Sequence, residues 1–438
     1  MTSPSPRSLM LRRAVLTSLS GKGITVVTQL LAVPLAIGAL GVERYGAYAM
    51  LTAIFLWTSA ASVVVASALT LQLVPANAEG DTQRESRLFS TAFFFALATA
   101  ALLFVGFQVM LGTLQIDHLF GLDRPAFAVD LHMAAMAMAL LLPANVLFSL
   151  AEAAQAGYQR QYVNNLLQMG ANLTTLVALL LVVRLAPSIC NMVLAMFLPA
   201  TLSRVVNMGL LWAARPHLRP SFKLAQWPTL LALLAMGAAF AVTQAGSFLY
   251  LQFPTFHVGR ASGLSAAAYL STMMLVISIS GNFLVMFTQP LMPALRDAVT
   301  RGDQAWVRRT HSMVLKRLVP YISLAALAIA VGGSFFVSQL TRQVVHFDFM
   351  TQCLWAAFFW IVAWEHVHYS FVVGMGRVWL AACLYVAGAL LMLGCAMLLI
   401  PAHGLAGAFA AMCIGPLVCT VLAFPVIVRR LLGRADGT

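Results

Sequence analysis

Residues 45–78 read YGAYAMLTAIFLWTSAASVVVASALTLQLVPANA, 34 positions without one Asp, Glu, Lys or Arg. A helix needs only about 20 apolar residues to cross the hydrocarbon of a bilayer, so this stretch is long enough to span it. Uncharged runs of the same kind occupy residues 88–116, 224–259 and 261–295. A membrane barrel would need segments of about 10 residues alternating apolar and polar side chains, and nothing in the chain alternates. Helices, which satisfy their own backbone in lipid, are the structure left. Composition agrees: of 438 residues 61% are hydrophobic and 9% charged, against roughly 25% charged in an ordinary soluble domain.

Working outward from residues 45–78, the sequence predicts an all-α integral membrane protein of about twelve transmembrane helices in two six-helix lobes. The first lobe, residues 1–222, holds helices near 15–40, 45–74, 89–112, 126–151, 165–183 and 189–213. A basic, proline-punctuated linker, ARPHLRPSFKLAQWP at 214–228, leads into the second lobe, residues 223–438. Its helices are expected near 229–254, 265–291, 313–338, 351–373, 378–400 and 404–428. Arg7 and Arg12-Arg13 ahead of an apolar run resemble a cleavable leader. Lys22 interrupts that run and a second long span follows, so the segment reads as a retained first helix.

The net charge of +13 would suggest nucleic acid on a soluble surface, but its distribution points to a membrane instead. Of the 26 Lys and Arg, 19 fall in the head, the tail and the loops on the N-terminal side. Arg44, Arg124, Arg184, Arg260 and Arg342 are alone on the other side, and Lys22 and Arg204 lie within spans. The positive-inside rule places both termini in the cytoplasm and implies no nucleic-acid partner. The six cysteines sit inside apolar spans with no CxxC pair and read as small core hydrophobes. No metal or other cofactor is expected.

An internal repeat is visible at an offset of about 220 residues. The turn PANAEGDTQRESR at 75–87 matches PALRDAVTRGDQAWVRR at 293–309, with Gly80-Asp81 against Gly302-Asp303. The same offset relates Gly38 and Tyr48 to Gly259 and Tyr269, and Gly157 and Arg160 to Gly374 and Arg377. An even number of helices per half means parallel repeats, which in transporters place the substrate site between them near the midplane.

The candidate binding residues are the cations inside the spans. A lysine near the centre of an apolar helix is unfavourable by about 2.5 kcal/mol or more, so Lys22 requires a wet cavity or a partner. Ser18, Lys22, Thr25 and Gln29 share one helical face. Snorkelling of Lys22 to lipid phosphate is the competing reading. Arg204 lies roughly 13 Å inside its span at about 1.5 Å per residue, where a guanidinium suits bidentate phosphate binding, again against snorkelling. Arg44 and Arg260 sit near the outer mouth of corresponding halves, as cavity cations or interface anchors. Ser271, Ser278, Asn282 and Gln289 form a polar row that fits either substrate or interhelical hydrogen bonds. In WEHVHY, residues 364–369, Glu365 and His368 are three apart and face one way, either as a proton-exchanging pair for ion coupling or as a structural contact. Within the spans Glu365 is nearly the only acid expected. No GxSxG, HExxH or Walker motif stands in a usable context, so no enzyme is indicated.

The head of the chain, LAVPLAIGALGVERYGAYAML at 31–51 and PANAEGD at 75–81, resembles the first two helices of polysaccharide-biosynthesis flippases of the multidrug/oligosaccharidyl-lipid/polysaccharide (MOP) exporter superfamily. AGYQRQYVNN at 156–165 and IPAHGLAGAFAA at 400–411 extend the resemblance over most of the chain. It implies a flippase in the bacterial inner membrane that passes an undecaprenyl-pyrophosphate-linked oligosaccharide between leaflets by alternating access, for O-antigen or exopolysaccharide synthesis. Other polysaccharide assembly proteins are implied as partners. Lys22 matches the family's tendency to place a base in the first helix, with Arg204 and Arg260 as companions facing the pyrophosphate. Two rival readings are a membrane glycosyltransferase such as an O-antigen polymerase or ligase, which generally carries a large periplasmic loop, and a drug/cation antiporter, which favours cavity acids.

Overall fold

The computed structural model of the chain describes residues 6–56, 60–113, 127–288, 291, 295, 298–299, 301–343 and 345–433; the side chains of 6–22, 60–63, 283, 286–287 and 433 lie outside that description. All regular structure described is helical. In chain order the helices are α1 (Pro6–Leu40), α2 (Val42–Leu56), α3 (Ala60–Glu79), α4 (Thr82–Thr113), α5 (Ala128–Gly157), α6 (Gln161–Leu185) and α7 (Ile189–Ala214). They continue as α8 (Trp227–Ser262), α9 (Leu264–Thr288), α10 (Gln304–Thr341), α11 (Phe349–Gly374), α12 (Val378–Pro416) and, after a π-helical turn Leu417–Val421, α13 (Ala423–Gly433). The pair α2 and α3 occupies the place of the expected second span. The last two expected spans run through α12, the π turn and α13, parting at Gly404, whose φ of 54° and ψ of −125° leave the helical region. Twelve spans result, as the hydropathy pattern predicts. Nine described helical segments are long and apolar enough to cross a membrane on their own. The shortfall includes α11, whose spanning stretch carries Glu365, two histidines and three tryptophans.

 These tryptophans are Trp355, Trp360 and Trp364. With Glu365, His366 and His368 they lower the hydropathy of a helix that is nonetheless largely buried.

The chain divides into two compact units, Met1–Ala241 and Val242–Thr438. The sequence reading drew its line at 222/223, in the linker before α8. In the first unit, Leu69, Leu73, Phe89, Ala92, Leu150, Ala154 and Leu211 are buried together, joined by Leu233 from the opening turns of α8. The same turns approach α3 so closely that a Cβ on Gly237 would lie 1.9 Å from the Val64 carbonyl oxygen, which only glycine permits. In the second unit Trp355, Phe358 and Phe359 of α11 pack on Phe409 and Met412 of α12. A satellite cluster gathers Val307, Phe371, Phe424 and Val428. The outward faces carry the opposite pattern from a soluble protein: Leu102, Leu185, Val331 and Leu398 are each more than 70% exposed. Large apolar side chains in that position are at home in acyl chains.

The repeat is reproduced in the turns. Gly80 and Gly302 have φ of 70° and 74°, and the amides of Asp81 and Asp303 bond to Ala76 and Ala298 at 3.0 and 2.9 Å. Each aspartate then caps the next helix, Asp81 Oδ1 accepting from the Arg84 amide at 2.9 Å and Asp303 Oδ1 from the Trp306 amide at 3.0 Å. At the next pair of turns, the amides of Arg160 and Arg377 bond to Gln155 and Val372 at 2.7 and 3.0 Å. Between Thr288 and Gln304 the described residues 291, 295 and 298–299 are helical as well.

Candidate functional site

The polar side chains of the first unit converge where α5, α6 and α7 pack. On α5, Asn145, Glu152 and Gln155 are spaced seven and three apart, and on α7 Thr201, Arg204 and Asn207 follow at intervals of three. Helical periodicity brings each set onto one stripe, and the stripes face each other. Arg204 Nε donates to Glu152 Oε1 at 3.0 Å, and its Nη1 donates to Asn145 Oδ1 at 2.6 Å. Asn145 Nδ2 donates to Thr201 Oγ1 at 2.7 Å. Deeper along the stripe, Gln155 Nε2 donates to Asn207 Oδ1 at 3.3 Å and Asn207 Nδ2 to Asn164 Oδ1 at 2.9 Å. Asn164 Nδ2 closes the chain on the Glu152 carbonyl at 2.9 Å. The Arg204 and Glu152 side chains remain 30% and 35% exposed, so the ion pair opens to its surroundings while its supports are buried.

Arg204 is therefore held by a carboxylate, which the sequence reading did not anticipate. That reading ended the fourth span at Ala151, whereas α5 continues to Gly157 and takes Glu152 into the bundle. The signal was present as Asn145 and Glu152 at heptad spacing against Thr201 and Arg204.

A second polar stripe joins α1 and α6. Asn172 Nδ2 donates to Thr25 Oγ1 at 2.6 Å, and Gln168 Nε2 to Asn172 Oδ1 at 3.0 Å. Gln29, half-buried, has its Oε1 buried without a hydrogen-bond partner among the described residues, as has Thr28 Oγ1. The side chains of Lys22 and Ser18, expected on this stripe, lie outside the described residues. Arg44 stands 5.6 Å from the centroid of the Phe127 ring, an interface cation on an aromatic face. Asn282 is half-buried and Ser278 exposed on α9, and Gln289 lies outside the described residues. Arg260 is exposed in the last turn of α8.

Glu365 and His368 are buried but engage different neighbours. Glu365 borders a small cavity lined also by Tyr250, Tyr385 and Thr420, with space for about one water molecule. His368 Nδ1 lies 3.0 Å from the Trp364 carbonyl, and its ring lies tilted against Trp364 with centroids 4.3 Å apart and meets His311 edge-on at 5.6 Å. No hydrogen bond joins the two side chains among the described residues. The cysteines are all free; Cys413 is buried and Cys383 is exposed, so the reading of all six as core side chains does not hold for Cys383. Among the described residues no group of three His, Cys, Asp or Glu is arranged to hold a metal.

At the N-terminal side of the bundle, Glu85 is a buried acid with three partners. Tyr158 Oη donates to its Oε2 at 2.9 Å, Arg215 Nη1 at 3.3 Å, and His217 Nε2 lies at 2.7 Å. Arg215 also stacks 3.6 Å above the Tyr158 ring. Burial, reinforced by the neighbouring Glu85 carboxylate, pushes the Tyr158 phenol well above its ordinary value. This cluster ties the linker after α7 to α4 and α5.

The helix order and packing are those of the MOP transporters. An inward-facing multidrug resistance MATE family transporter of the MOP superfamily superposes with a TM-score of 0.80 at 12% identity, over 97% of this chain and 99% of that one. An outward-facing MATE family structure gives 0.67 at 12% identity, over 99% and 98%. A MOP superfamily transporter from Pyrococcus furiosus, described as having a binding pocket of reverse polarity, gives 0.66 at 13%, over 98% and 96%. No curated protein matches the sequence at a significant level. The family model for polysaccharide biosynthesis proteins matches residues 11–299. The chain belongs to that family, and carries it on the MOP transporter fold.

Proposed function

We propose that the protein is a flippase that moves an undecaprenyl-pyrophosphate-linked oligosaccharide between leaflets by alternating access. The observation that carries the reading is Arg204: a guanidinium about ten residues, or roughly 15 Å, from the end of its helix, kept part-exposed by Glu152 and Asn145. A sugar diphosphate cannot cross hydrocarbon unaided, and a hydrated, positively lined path lowers that barrier while the polyprenyl tail stays in lipid. Glu152 fits this role as a resident counter-ion. It keeps Arg204 neutralised between cycles, and the diphosphate replaces it with a stronger bidentate contact. Lys22, Arg44 and Arg260 are proposed as further cations along the path, Gln29 and Asn282 as sugar-binding groups, and Glu365 and His368 as the groups that couple an ion to the cycle. The membrane is proposed to be the bacterial inner membrane.

The test is leaflet transfer of a polyprenyl-diphosphate oligosaccharide by the purified chain in proteoliposomes. Wild type is expected to transfer the lipid and Arg204→Ala to lose at least ten-fold in rate at equal protein content. Absence of transfer by the wild type, in vesicles where the protein is shown to be folded, overturns the proposal.

A further inference from the structure

The first unit contains a recess of about 390 Å³ that plays no part in the site above. It is framed by the end of α3, the start of α4 and the start of α8. Its polar wall is made by Gln72, Arg84, Arg87, Gln226 and Thr229, and its floor includes the buried Leu88 and Leu233. Arg84 and Arg87 are three residues apart and share a helical face. Arg84, half-buried, forms an ion pair with the exposed Glu79 at 2.9 Å through Nη1, and so keeps further donors. Arg87 makes no side-chain ion pair among the described residues.

The rim shows what kind of phase the recess meets. Trp227, between the lining residues Gln226 and Pro228, is 67% exposed, and Leu71, Val74 and Leu231 are exposed on the framing helices. An exposed aromatic side chain beside arginines and exposed aliphatic residues is the pattern of the lipid headgroup level. At that level the abundant anion is a lipid phosphate, and the volume matches a headgroup.

We propose that this recess binds the phosphate headgroup of an anionic glycerophospholipid, with Arg84 and Arg87 on the phosphate, the amides and Thr229 on the glycerol end, and the acyl chains along α3 and α8. The site is separate from substrate transfer. It anchors the opening of α8 and the linker before it to the bilayer surface.

The experiment uses the detergent-purified full chain with dioleoyl phosphatidylglycerol, dioleoyl phosphatidylcholine or inorganic phosphate, read by thermal denaturation and native mass spectrometry. Phosphatidylglycerol is expected to raise Tm and to be retained in the spectrum, with neither control doing so. Arg87→Gln, which leaves the Arg84–Glu79 pair intact, is expected to weaken that binding about ten-fold or more, as loss of a charge-assisted contact does. Ala232→Phe, which fills the recess with both arginines retained, is expected to do the same and covers the case in which the first variant folds poorly. An unchanged phosphatidylglycerol response in both variants overturns the proposal. An equal response to inorganic phosphate overturns the lipid part of it, leaving an anion site.

Discussion

At the scale of the residue, the decisive question is what Arg204 loses when its partners are removed. Its Nε and Nη1 are both engaged, on Glu152 and Asn145, so a point charge cannot replace the planar fork. Arg204→Lys is therefore expected to fall nearer to Arg204→Ala than to wild type in transfer activity. Removing the guanidinium leaves Glu152 without its cation and Asn145 Oδ1 without that donor, in surroundings that are only part-solvated. A loss of about 1–3 kcal/mol in stability is expected from such an orphaned pair. Glu152→Gln with Arg204→Ala should restore part of it, and the four-variant cycle by thermal denaturation measures the coupling. If the loss in the double variant equals the sum of the two single losses, the two side chains are not coupled. The cationic half of this site was legible because an arginine inside an apolar span is conspicuous. Glu152 was not, because a span read from hydropathy stops at the first charge, whereas in the folded bundle the arginine across the interface lets the helix run on for another turn and a half.

At the scale of the element, the turns were the most legible part of the chain. Gly80-Asp81 and Gly302-Asp303 carry the two pieces of information a helix junction needs, a residue free to take positive φ and a side chain that caps the next helix. Gly404 opens the last span expected from the sequence. Its backbone, φ 54° and ψ −125°, is open to glycine and costs another residue about 1–3 kcal/mol. Gly404→Ala is expected to lower Tm accordingly, or to straighten the break between the two spans, either of which a cysteine cross-link across that break would register. The cap at the start of α11 behaves differently. Asp348 accepts from the Thr351 amide at 3.1 Å and from the Thr351 hydroxyl. That hydroxyl, foremost, holds the carboxyl below its ordinary value. A depressed carboxyl contributes stability above its unfolded value near 3.8 and loses it as pH falls through the lower folded value. Asp348→Ala should cost about 1 kcal/mol at pH 7, and the gap to wild type should narrow in denaturation scans taken progressively below pH 4. A gap independent of pH would show that the charge of the cap contributes nothing.

At the scale of the whole molecule, the sequence carries a directional signal in its charges, 19 Lys and Arg on the N-terminal side against five on the other. The helices of the structure give that signal its geometry, since each reversal lies where the charges change side: Arg84 and Arg87 open α4, Arg160 precedes α6, Arg215 follows α7, and Arg301 precedes α10. Short connections make the bias effective, because charge near a span end sets orientation whereas long loops translocate largely regardless of it. Two of the basic turns are also fixed by their own folds, the Glu85 cluster holding Arg215 and the Asp303 cap following Arg301. The expected topology can be read with alkaline phosphatase fusions, which are active only outside the cytoplasm. Fusions after Arg184 and Arg342 should be active, and those after Arg219, Gly302, Arg377 and Arg430 inactive. An active fusion at Gly302 or Arg430 would reverse the orientation of the second unit, and with it the direction in which the proposed substrate is carried.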